Sequence, residues 1–274
     1  MALGFLRLDN RYILEMPLKP EGGLHIGSGR ESPKTDAAFL CDERGPIVPG
    51  SSLRGAMRST LERIVQAVAP DRGCVLFGPP ECHPTCFTVR SKECEDFRKA
   101  ERDAAKREAR LHEKLLLGNG QCDICRLFGS PLLASRVRIS DGRLTKGASS
   151  VRHGVGIDRD TETAREHIKY DFEVMDSEGI NVRMEIENAS MRDLALLHIL
   201  FSEMIHCGLD VGGKKSSGLG RCWLVRDSPD FTVKYFDGPE SLRRYLKGRP
   251  DDMSAGDFLA RLEKSFDESF GKGA

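Results

Sequence analysis

The stretch "PGSSLRGAMRSTLERIVQAV", residues 49–68, decides how the rest of the chain is read. Leu53, Met57, Leu61, Ile64, Val65 and Val68 recur at helical spacing, so they form one apolar face. Ser51 or Ser52 stands where a hydroxyl oxygen can accept an orphan amide hydrogen of the first turn. Arg54 and Arg58 are four apart and project from one side near that end. Free amides, helix dipole and two guanidiniums would together attract a phosphate; a solvated helix face is the alternative.

Outward from this helix the pattern changes to strands. "RYILEM" (11–16) is one, followed by the glycine-rich turn "EGGLHIGSGR" (21–30) and a second strand, "AAFLC" (37–41). "SRVRIS" (135–140) places Val137 and Ile139 on one face and Arg136 and Arg138 on the other. "FEVM" (172–175) and "INVRMEIEN" (180–188) alternate around a "DSEG" turn. "SMRDLALLHILFSEMIHCG" (190–208) is a second helix, with Ser190 and Asp193 spaced as a capping box and Gly208 at its end. "RCWLVRD" (221–227) closes as a strand, and 228–274 reads as small peripheral helices. Two helices on one face of an antiparallel sheet make an α+β sandwich of the ferredoxin-like type.

Composition narrows the function classes. The chain has 274 residues, enough for one large domain or two small ones. Lys+Arg and Asp+Glu are both 42, and a neutral total leaves nucleic-acid binding open, because clustering on one face is what matters. No apolar run approaches the roughly 18–20 residues that span a bilayer. "MALGFLRLDNRY" is charged too early for a signal peptide, so a cytoplasmic protein is expected. Walker A, HExxH, nucleophile-elbow and Rossmann patterns are absent, which argues against the small-molecule chemistries they serve.

Six of the nine cysteines, Cys74, Cys82, Cys86, Cys94, Cys122 and Cys125, fall between positions 74 and 125. "CHPTC" (82–86) and "CDIC" (122–125) are local chelating pairs, and two such pairs in one segment match a structural zinc site. Residues 70–125 therefore read as an insertion stapled at its base by Zn2+, with Cys74, Cys94 and His83 as further ligand candidates. Within it, "RKAERDAAKREARLHEK" (98–114) reads as an exposed helix of mixed charge.

The polar stretch 141–171 is long for a structureless loop and reads as either functional or disordered, a protruding hairpin being one functional form. It carries His153, Arg159 and His167; either histidine suits acid–base work, and neither shows a partner in the sequence. Asp36, in "ESPKTDAAFL", is on its spacing alone a turn former or strand cap. "GGKKSSGLGR" (212–221) reads as a turn or a nucleic-acid-facing loop.

Four segments in order, "GLHIGSGR" (23–30), "PIVPGSSLRGAMRSTLE" (46–62), "CDICRLFGSPLLASRVRISD" (122–141) and "GGKKSSGLGR" (212–221), resemble the RAMP superfamily of CRISPR systems. More narrowly they are similar to the repeated backbone subunit of type III effector complexes. The resemblance implies an RNA recognition motif-like palm over 1–226, a thumb hairpin over about 141–171, and a tail over 227–274. It also implies that copies or paralogues stack with other subunits along a CRISPR RNA, and that thumbs kink the guide–target duplex. The RNA-binding positions it implies include His25, Ser51, Ser52, Arg54 and Arg58, then His153 and Arg159 in the thumb, and Gly213, Lys214, Lys215 and Arg221 in the last loop. Asp36 corresponds to the aspartate of target-cleaving subunits, with Asp42 a second candidate. There the target's 2′-hydroxyl attacks in line, with Mg2+ or another divalent ion required, and a cyclic phosphate is left. Zinc-bearing members favour Cys74 joining Cys82 or Cys86 with Cys122 and Cys125. Two rivals carry different expectations: a non-catalytic scaffold of the same complex, and a maturation nuclease for CRISPR RNA that uses His25 or His153.

Overall fold

The computed structural model describes residues 7–29, 35–74, 122–130 and 133–271. Its spine is two antiparallel strands, β1 (Asn10–Pro20) and β6 (Ala164–Glu187), registered from Arg11↔Glu187 to Leu18↔Ile180. Alternation puts Tyr12, Leu14, Met16 and Leu18 of β1, and Ile180, Val182, Met184 and Ile186 of β6, in the core. The far side of β6 pairs β4 (Val137–Ile139) and β5 (Gly142–Ile157); that of β1 pairs β8 (Arg221–Leu224) and β9 (Thr232–Asp237). Short strands complete the sheet: β2 (Cys41–Asp42) and β3 (Gly45–Val48) beyond β5, β7 (Leu209–Asp210) beside β8, and β10 (Asp251–Ser254) beside β9.

Helix α1 (Gly50–Val68) buries Leu53, Met57, Leu61 and Val65 completely; Ile64 is partly buried and Val68 lies in solvent. Its start differs from the serine cap expected of the sequence. Pro49 is the N-cap residue and makes no side-chain cap bond, so Ser51 and Ser52 fall inside the first turn. The cap comes from elsewhere: Asp141 Oδ1 accepts the Gly50 N–H at 2.8 Å. Gly50 is required there, since a Cβ would stand 2.2 Å from the Ile139 carbonyl oxygen of β4. Helix α2 (Asp123–Phe128) packs its Ile124, Leu127 and Phe128 into the same core. Helix α3 (Met191–His206) has the Ser190–Asp193 capping box, and Gly208 beyond its end takes φ +82°.

Two elements depart from the sequence reading. "DSEG" is not a turn: β6 continues through it, and Ser177 Oγ bonds the Thr145 and Gly179 carbonyls at 2.7 Å each. The turn lies further out, at 158–163, where Asp158 Oδ1 accepts the Asp160 and Thr161 N–H groups; β5 and β6 thus form one long hairpin, exposed over 146–153. The second departure is the tail. Residues after 227 are not peripheral: β9 and β10 extend the sheet, α4 (Pro239–Leu246) contributes Tyr245, whose ring tilts against Phe236 at 5.0 Å, and α5 (Ala255–Phe270) packs along α3. Phe258 and Leu262 are fully buried, and the Phe258 ring lies 5.7 Å from Tyr12 and 6.3 Å from Phe201. The reason is the apolar spacing of "FLARLEKSF" (258–266), a helical face like that of α1.

Among the described residues no helix is long and apolar enough to cross a membrane.

Candidate functional site

β1 covers the edge of β6 only from Ile180 onward, so the outer backbone groups of 171–175 need other partners. Two segments supply them. Leu24 and Met175 exchange both backbone bonds at 2.8 Å; the Ala37 N–H donates to the Asp171 carbonyl at 3.2 Å, and the Glu173 N–H to the Ala37 carbonyl at 3.0 Å. This pairing sets Asp36 beside the outer half of the hairpin. Its carboxylate is exposed, and Oδ2 accepts the Asp171 N–H at 2.9 Å.

The Asp171 side chain in turn meets His153 across the hairpin, Oδ1 to Nδ1 at 2.7 Å. His153 is 78% exposed in its side chain, against 37% for Asp171. The partner that the sequence did not show is therefore the residue directly opposite on β6.

The last loop closes on the same region. His25 is 8% exposed; its Nδ1 donates to the Glu173 carbonyl at 2.8 Å and its ring meets the Phe172 ring edge-on at 5.3 Å. The Gly213 N–H donates to the His25 carbonyl at 2.8 Å. Gly212 has φ +86°, and a Cβ there would stand 2.5 Å from that carbonyl oxygen. The glycine freedom is thus used, at Gly212, for a close approach to the chain's own backbone. Lys214, also left-handed at φ 58°, lays Nζ 4.2 Å from the centre of the Tyr170 ring and 5.0 Å from that of Phe172. Lys215 is exposed beside it.

The remaining expected residues lie otherwise. Arg58 is only 11% exposed in its side chain, and its Nε, Nη1 and Nη2 meet Glu62 Oε1 (2.7 Å), the Gly129 carbonyl (2.6 Å) and Cys125 Sγ (3.3 Å). Burial works against its charge, but the Glu62 hydrogen bond and charge leave its pKa raised. Arg54 donates to the Phe128 carbonyl, and burial, then the Arg58 charge, lower its pKa. These guanidiniums bind the C-terminal end of α2 to α1. Asp42 is paired with Arg143; that hydrogen bond and the Arg44 N–H hold its carboxyl down at about 2. Arg221 pairs with Asp210 at 3.1 Å, and Arg159 is exposed in the hairpin turn. Asp171, Tyr170 and Phe172 were missed in the sequence reading; the alternation of "YDFEV" (170–174) was the available signal.

A second cluster lies under α1. Sγ atoms of Cys74, Cys122 and Cys125 lie within 4.8 Å of one another, those of Cys74 and Cys125 at 3.4 Å, which suits a metal ion. Cys122 is also the N-cap of α2, its Sγ accepting the Cys125 N–H. The cluster joins the two ends of 75–121; Cys82, Cys86, Cys94, His83 and the 98–114 helix expected there lie outside the described residues.

The chain is 44% identical over 62 residues to the CRISPR system Cms endoribonuclease Csm3 of Methanocaldococcus jannaschii, a match covering 21% of this chain and 25% of that protein. The chain thus aligns with about a quarter of that relative's length. The family model of the RAMP superfamily matches residues 18–223, from the end of β1 to β8, taking in the Asp36 segment, the hairpin and the last loop, and the chain belongs to that superfamily.

Proposed function

We propose that this chain is a CRISPR RNA-binding backbone subunit of a type III effector complex, which cleaves target RNA at Asp36. The observation that carries it is the meeting of Asp36, the hairpin and the 212–221 loop along one edge of β6. The RNA recognition motif-like palm is supported by the strand order, β8 beside β1, β1 beside β6 and β6 beside β4, with α1 and α3 as crossovers. The relative named as a CRISPR system endoribonuclease supports the activity. RNA lying on this edge would be gripped by backbone and shape, guide–target pairing reading the sequence.

A divalent ion, when bound, would stabilise charge on the scissile phosphate. Asp36 belongs to no group of three metal-binding side chains among the described residues, so such an ion would be held by this carboxylate together with RNA phosphate and water. Co-expression of the chain with its genomic neighbours tests the assignment: guide RNA should co-purify, and matched target RNA should be cut at sites opposite each copy. Cuts only opposite other subunits would favour the scaffold reading.

Lys215 carries the electrostatic part of the loop contact, Lys214 being held over two rings. Lys215→Glu is expected to weaken guide-RNA binding and lower the slope of log K against log salt by about 1. An unchanged slope would remove the loop from the interface.

For the thiol cluster the ion is Zn2+, held by Cys74, Cys122 and Cys125 with a fourth ligand from 75–121, Cys82 or Cys86. Mass spectrometry of the purified chain is expected to show about one zinc, reduced by at least about half in Cys125→Ser. A metal-free wild-type chain would overturn this.

A further inference from the structure

The region at the edge of β6 contains two histidines with opposite surroundings. His25 is nearly buried, its ring held by the Glu173 carbonyl and Phe172. His153 is exposed, with Nδ1 fixed on a carboxylate and no hydrogen bond to Nε2 among the described residues. A carboxylate on Nδ1 holds one tautomer and one ring orientation. The same Asp171 binds Asp36 through its main chain, so one residue couples the exposed imidazole to the exposed carboxylate at 2.7 and 2.9 Å.

We infer that His153 is the general acid of this site, donating the Nε2 proton to the 5′-oxygen that leaves when target RNA is cut. The inference rests on the cleavage reading of Asp36 given above. In the step, the 2′-oxygen forms a bond to phosphorus as the bond from phosphorus to the 5′-oxygen breaks. The 2′-hydroxyl proton passes to the Asp36 carboxylate, and the 5′-oxygen takes its proton from the His153 imidazolium. A cyclic phosphate and a 5′-hydroxyl result; exchange with water then restores both side chains. Other groups nearby suit this role less well. Lys214 is engaged with the Tyr170 and Phe172 rings, and Glu173 Oε2 accepts the Phe39 N–H at 2.8 Å. Lys169 is exposed on the hairpin face shared by Asp171 and Glu173, but has no carboxylate fixing it among the described residues.

The test uses the assembled complex and two matched target RNAs, one ordinary and one with sulfur replacing the 5′-bridging oxygen at the cut. A thiolate leaves without a proton, so only loss of a general acid is rescued by sulfur. His153→Ala is expected to cut ordinary RNA about 100-fold more slowly and sulfur-bridged RNA within about threefold of wild type. Asp171→Asn is expected to show the same rescue with a smaller initial loss. Equal slowing on both RNAs would make His153 a binding residue and overturn the inference. Unchanged rates on both, with Asp36→Asn inactive, would overturn it and leave the Asp36 assignment standing. A wild-type complex that cuts neither RNA would remove the cleavage reading and this inference with it.

Discussion

Asp36→Asn in the assembled complex is expected to slow cleavage of matched target RNA by at least about 100-fold, while RNA binding stays within about twofold of wild type. The substitution separates charge from structure. The asparagine carbonyl oxygen can still accept the Asp171 N–H, so the 35–40 segment stays paired to β6. What is lost is the negative charge of an exposed carboxylate beside the hairpin. Asp36 makes no ion pair among the described residues, so removing the charge strands no buried partner. Single-turnover cleavage with labelled target RNA, beside a filter-binding or gel-shift measurement, gives both numbers. Undiminished cutting at every site would sink the catalytic assignment; loss of binding in proportion to cutting would reassign Asp36 to RNA docking.

Phe258→Ala is expected to destabilise the chain by about 3–5 kcal/mol, a large share of the roughly 5–15 kcal/mol that holds a typical domain together. Phe258 is fully buried between Tyr12 of β1 and Phe201 of α3, and removing its ring leaves a cavity against two rigid neighbours. The effect distinguishes a tail built into the core from one resting on its surface. Urea denaturation of the purified chain measures it, and a change below about 1 kcal/mol would return residues 228–271 to the periphery. Ending the chain at Asp227 is expected to be more severe, since it also strips β9 from β1 and exposes Phe201.

Much of the framework was legible. Periodicity marks α1, α3, β1 and β8, because each buries one face against the core and local spacing records it. The capping box of α3 was equally visible, being contained in four consecutive residues. The cap of α1 was not, because its acceptor, Asp141, is 91 positions away. The DSEG turn was misread because hydrogen bonds from Ser177 keep polar residues inside a strand. The tail was discounted although "FLARLEKSF" has the spacing of a buried helix.

The site divides in the same way. CxxC spacing announces Cys122 and Cys125 as a chelating pair, since both come from one turn; Cys74 was one candidate among several, and the fold brings it to them from 51 positions distant from Cys125. The sequence by itself determined the superfamily, the core helices and strands, and the residue types that chemistry would need. Which of those residues meet was decided by tertiary structure alone. Arg54 and Arg58 look like an anion site on an isolated helix, yet α2 occupies their guanidiniums. His153 looks unpartnered along the chain, yet strand register sets Asp171 against it. The physical reason is common to both: a side chain's partner is chosen by whatever packs across from it, and local sequence encodes only the face it presents.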